Sequence, residues 1–193
     1  MTQKKIIIVG VGALGSHVLL NARNWDAQFK VLDFDRVEQK NTQAQMHTKM
    51  SLRHNKAQAI QKAMQGMFGL KVEAVPHKLT DDNAEKLLAG ADLILDCTDN
   101  IEARRLIMRI SDFWKIPTLH GSLSAAGDFS RVMWTEHFEP DAESGDGATC
   151  EDGEQLPFFA LAAAHVAQEA QRFLKDGTKR SLQITPTSVM RLY

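Results

Sequence analysis

Ile6-Ile7-Ile8-Val9-Gly10-Val11-Gly12-Ala13-Leu14-Gly15 is the stretch on which the fold turns. Four apolar residues in succession cannot alternate between a core and water, so residues 6–9 read as a strand buried on both faces. Gly10, Gly12 and Gly15 follow as G-x-G-x-x-G, and residues 13–24 continue with helical spacing. In that strand–turn–helix setting each glycine has a task. The first makes the tight turn, the second lets a phosphate approach the backbone, and the third lets the helix pack against the strand. The helix start then presents unpaired N–H groups to an anion. Asp33 stands eighteen residues beyond Gly15, within the second apolar stretch FKVLDF at residues 29–34. A carboxylate at that point accepts hydrogen bonds from ribose hydroxyls, so a nucleotide is the expected ligand.

Outward from this motif, strands at residues 72–75, 93–96, 117–119 and 130–135 alternate with helices at 55–68, 81–88 and 101–115. A long helix at 157–177 follows, then one or two terminal strands. This alternation predicts a single doubly wound, Rossmann-like α/β domain over residues 1–193, a mostly parallel sheet with helices on both faces. Residues 136–154, rich in acidic residues and glycine, read as a mobile surface loop.

The chain has 193 residues, with 23 Lys and Arg against 24 Asp and Glu, 44% apolar and 24% charged. That balance excludes global disorder and argues against nucleic acid or an anionic membrane as the partner. No apolar run is long enough for a membrane helix or a signal peptide. Two cysteines, Cys97 and Cys150, cannot form a disulfide framework or a four-cysteine zinc site, so a reducing cytoplasm is the expected compartment. The histidines show no metal spacing, and Cys97, at the end of an apolar strand, reads as core.

Three polar clusters fall at the carboxyl ends of successive strands: DFDRVEQKNTQAQ at 33–45, HNKAQA at 54–59, and DCTDNIEARR at 96–105. Open α/β sheets bind ligands at that edge. In order and spacing these clusters resemble the ThiF/MoeB/HesA family, the adenylation fold shared with ubiquitin-activating enzymes, over residues 6–134 and again over 150–174. The resemblance implies that Asp33 and Asp35 are the family's Asp-x-Asp, with Asp33 on the ribose. It implies that Asn41 and Gln45 belong to its Asn-x-x-Arg-Gln, with Asn41 on the phosphates. Lys56 matches the catalytic lysine, Asp99 the magnesium-binding aspartate, and Arg104 a common arginine. Cys150, in Thr149-Cys150, matches a position that takes an activated acyl group as a thioester or joins in sulfur transfer.

The expected reaction is ATP-dependent adenylation of the C-terminal carboxylate of a small ubiquitin-like or sulfur-carrier protein, with thioester formation at Cys150 as a following step. An attacking carboxylate is ionised at neutral pH and needs no general base. The site must supply positioning and positive charge, which a lysine and a magnesium ion provide. Three departures stand out: Ala44 where the family has arginine, no paired C-x-x-C, and an opening directly at the first strand. They lead to the expectation of a homodimer or heterodimer in which a partner supplies a cation. Two alternatives remain open from the residues: an NAD-dependent oxidoreductase, and an inactive partner subunit of a heterodimeric activating enzyme.

Overall fold

The computed structural model describes residues 3–124, 126–139 and 153–192. The chain runs β1 (Lys4–Val9), α1 (Ala13–Ala22), β2 (Ala27–Leu32), α2 (Asn41–Ala44), α3 (Lys56–Phe68) and β3 (Val72–Val75). It continues α4 (Ala84–Leu88), β4 (Leu93–Asp96), α5 (Ile101–Trp114), β5 (Thr118–Leu123), β6 (Ser130–Trp134), α6 (Leu156–Asp176), β7 (Leu182–Thr185) and β8 (Ser188–Arg191). All eight strands join one sheet in the order β3-β2-β1-β4-β5-β6-β7-β8. The first five are mutually parallel, and β6, β7 and β8 are added antiparallel.

Because β1 lies between β2 and β4, chain direction through the sheet reverses at β1. That reversal opens a crevice at the carboxyl ends of the strands. β1 shows why its apolar run is needed. Ile6 and Ile8 pack on one face with α1, α3 and α6 residues such as Val18, Ile60 and Val166, while Ile7 and Val9 pack on the other with Leu88 of α4 and Ile107 of α5. Helices thus cover both faces.

The expected elements are present with shifted ends. The second strand closes at Leu32, leaving Asp33 just past its end, and α4 begins at Ala84 because residues 81–83 form a turn held by Asn83, whose Oδ1 accepts from the Thr80 N–H. β5 runs past the expected end at residue 119 to Leu123, and at Gly121 the strand passes under α1 and α6. A Cβ there would lie 2.6 Å from Leu14 Cδ2 and 3.1 Å from Val166 Cγ2. Of the loop expected at 136–154, Thr135–His137 and Gly153–Gln155 are short 3-10 turns, and residues 140–152 lie outside the described residues.

Candidate nucleotide site

The glycine turn joins β1 to α1 and is shaped by its floor. Gly10 sits at φ +83°, and a Cβ on it would come within 2.9 Å of the Cys97 carbonyl oxygen. A Cβ on Gly15 would stand 1.9 Å from the Gly10 carbonyl oxygen, so the helix can approach the turn only as glycine. Gly12 is different: the nearest group to its missing Cβ is Gln45 Nε2 at 3.9 Å. Gly12 also forms the start of α1 without any side-chain cap, which leaves the helix end facing an open side.

Asp33 ties the turn to β2. Its Oδ2 accepts from the Val11 N–H at 2.8 Å and its Oδ1 from the Asp35 N–H at 2.9 Å. Burial pushes this carboxyl above its ordinary range, opposed by the nearby Lys56 ammonium and by those two N–H donors. Lys56 opens α3 directly after Asn55. The Asn55 side chain caps the helix by accepting from the Gln58 N–H at 3.1 Å, and its amide donates to the Asp33 and Asp35 carbonyls at 2.8 and 3.1 Å. One asparagine therefore fixes both the helix start and the Asp-x-Asp segment. The Lys56 side chain, only 11% exposed, ends 3.1 Å from Asp35 Oδ2, whose side chain is half exposed. A buried ammonium requires such a partner.

Asp99 lies on the other side of the turn, exposed, just beyond β4. Asn100 caps α5 by accepting from the Ala103 N–H at 2.9 Å. Asn41 is buried, with Oδ1 accepting from the Glu38 N–H at 2.8 Å, so it shapes its own turn. Arg104 is a brace: its guanidinium donates to the Thr98 and Gly121 carbonyls and lies over Phe138 at 5.6 Å. Ala44 is fully buried in the core. Cys150 lies outside the described residues, and Cys97, its thiol pushed up by burial, sits beneath the turn.

Reasoning from the sequence overlooked His47. Its Nε2 is 3.0 Å from the Val11 carbonyl oxygen, so that nitrogen carries the proton, while Nδ1 is buried without a partner among the described residues. Burial drives its pKa down from 6.5 to about 4, helped by the Lys56 and His17 charges and opposed by the Val11 bond. The unfolded chain binds this proton near pH 6.5 and the folded chain only near 4. The neutral ring's contribution is therefore complete above pH 6.5 and falls away as pH drops toward 4, by on the order of 3 kcal/mol in total. Urea unfolding across that window should show a shallower pH slope for His47→Gln than for the unaltered chain; equal slopes would refute this origin of acid sensitivity.

The molybdopterin-synthase adenylyltransferase of Salmonella typhimurium is 30% identical over 181 residues, covering 88% of this chain and 72% of that protein. The adenylyltransferase and sulfurtransferase UBA4 of Meyerozyma guilliermondii is 28% identical over 181 residues, 88% of this chain and 43% of that protein. Against this and two further curated relatives, the chain spans half their length or less, at 43%, 50% and 29%. Among solved structures, E. coli MccB with MccA-N7isoASN superposes with a TM-score of 0.80 at 14% identity, covering 98% of this chain and 64% of that one. MccB with ATP gives 0.77 at 14% identity, with 98% and 63% covered. At such identities the likeness establishes the fold. The model of the ThiF family matches residues 1–187, and with the sequence motifs gathered at one edge of the sheet, the chain belongs to the ThiF family.

Proposed function

We propose that this chain binds ATP in the crevice beside β1 and adenylates the C-terminal carboxylate of a small ubiquitin-like or sulfur-carrier protein. The observation that carries this reading is Lys56. Its ammonium is held at a nearly buried point beside the glycine turn and the Asp33 carboxylate, with Asp35 as its charge partner. Several relatives are named as adenylyltransferases, one as a sulfur carrier protein adenylyltransferase and one as a SAMP-activating enzyme E1, which supports the same reaction class. An oxidoreductase receives no such support.

In this reading the α1 start and the Gly12 backbone take the phosphates, Asp33 and Asp35 lie toward the ribose, and Asn41 and Gln45 line the turn. Lys56 neutralises the charge that builds on the phosphate oxygens as the carboxylate attacks phosphorus and pyrophosphate leaves. Asp99 fits magnesium, not a protein-only metal cage. It is a hard, exposed oxygen donor, and the described residues contain no group of three or more His, Cys, Asp or Glu able to hold an ion. Magnesium held by one carboxylate and by nucleotide phosphates needs no more than that. When bound, the ion would offset triphosphate charge. The Cys150 thiol then attacks the acyl carbon, losing its proton and expelling AMP as a thioester forms, and a partner chain of a homodimer or heterodimer supplies the cation missing at Ala44. Retention of Lys56 and Asp99 favours an active subunit over an inactive one.

The test is ATP–pyrophosphate exchange in the presence of a small ubiquitin-like protein ending in Gly-Gly. Exchange is expected with the unaltered chain, and it should collapse in Asp99→Ala. Cys150→Ser should retain exchange while losing any reducible adduct. A chain that binds nicotinamide dinucleotide, without affinity for ATP, would overturn the proposal.

A further inference from the structure

Asp96 and His120 form a polar pair that the nucleotide reading leaves without a task. They stand opposite each other on the neighbouring parallel strands β4 and β5, and both side chains are 0% exposed. His120 Nδ1 is 2.7 Å from Asp96 Oδ2. The other carboxylate oxygen, Oδ1, accepts from the Thr98 N–H at 3.0 Å and from the Thr98 hydroxyl at 2.7 Å. On its far side the ring places Nε2 2.9 Å from Thr135 Oγ1, and it stacks on Phe138 with centroids 4.1 Å apart.

An ionised carboxylate inside an apolar layer is unfavourable unless every lone pair is engaged. Here donors converge on the carboxylate, the His120 ring on one oxygen and the Thr98 N–H and hydroxyl on the other, with Thr135 behind the ring. Thr98 immediately precedes Asp99, and the peptide before it supplies the Cys97 carbonyl on which Gly10 rests. Arg104 grips the Thr98 carbonyl from the other side.

We infer that His120 is a positioning residue for the nucleotide site: by holding Asp96 it fixes the Thr98 turn, and with it both Asp99 and the floor of the glycine loop. This inference rests on the ATP reading above. Losing a partner that orients a metal ligand commonly weakens binding about 10–100-fold, and His120, which reaches Asp99 only through Asp96 and Thr98, falls at the lower end.

The experiment is calorimetric titration of the full chain with ATP, with and without magnesium chloride, alongside thermal unfolding. His120→Ala should weaken magnesium-dependent ATP binding about tenfold. His120→Asn, which keeps an N–H donor facing Asp96, should restore most of it. Thr98→Val, which removes the hydroxyl but not the buried pair, should weaken binding in the same sense. In an Asp99→Ala background, adding His120→Ala should leave the magnesium-dependent part unchanged, because the group it positions is gone. A folded His120→Ala chain that binds like the unaltered one overturns the inference; should that variant not fold, wild-type binding by Thr98→Val does so. An unaltered chain with no ATP affinity sinks the ATP reading itself, whereas good affinity that ignores these substitutions sinks only the role of His120.

Discussion

Lys56→Ala is expected to reduce ATP–pyrophosphate exchange by about 10²–10³-fold, the usual consequence of deleting one preorganised group that stabilises charge in a transition state. The fold should survive. Lys56 occupies the first turn of α3, where Asn55 supplies the cap and alanine is a better helix former. Asp35, left without its partner, is half exposed and can be solvated. Calorimetric unfolding should therefore stay near that of the unaltered chain while exchange disappears. Lys56→Arg is informative beside it. It keeps the charge but places a planar fork where the pocket holds a point charge, so partial activity is expected. Full exchange in Lys56→Ala would remove Lys56 from the reaction and leave it as a structural counter-ion to Asp35.

Gly15→Ala is the second large effect. The added carbon would stand 1.9 Å from the Gly10 carbonyl oxygen and 3.1 Å from Cys97 Cβ, and neither the turn nor the end of β4 can yield without moving the other. Overpacking against backbone has no rotamer to relieve it. A loss of about 2–4 kcal/mol in unfolding free energy is expected, with weaker ATP binding in whatever fraction remains folded. Gly12→Ala is the matching control. Space is open there and a methyl group meets only Gln45 Nε2 at 3.9 Å, so stability should hold while nucleotide affinity falls. If Gly15→Ala proved as stable as the parent chain, the close approach of α1 to the turn would be refuted.

Much of this architecture could be read from residue order because its signals are local. The apolar run of β1, the glycine spacing, the Asn55 and Asn100 caps and the acid after β2 each act within a few residues. What stayed hidden depends on neighbours distant in sequence. His47 shows no metal spacing in the sequence, and only the fold sets its ring against the Val11 carbonyl. His120 lies just past the strand expected at 117–119, and only the pairing of β4 with β5 brings it to Asp96. The run of β5 through Gly121 depends on distant neighbours in the same way, since a Cβ there would meet Leu14 and Val166. The Lys56–Asp35 ion pair is intermediate. Both residues stand in recognisable motifs, yet their contact is set by the Asn55 bridge.

The position of β1 in the middle of the sheet has a consequence for the order in which the chain can mature. The glycine turn is synthesised well before the segments that support it. The carbonyl beneath Gly10 belongs to Cys97, and the helix that covers α1 does not begin until Leu156. Nascent chains shorter than these points lack the pairing of Val9 with Asp96 and leave the apolar side of α1 open to water. Such long-range parallel pairing is slow to form. Ligand-competent polypeptide should therefore emerge only once α6 has been made, with chaperone dependence concentrated on intermediates that have β1 and α1 but not yet α6.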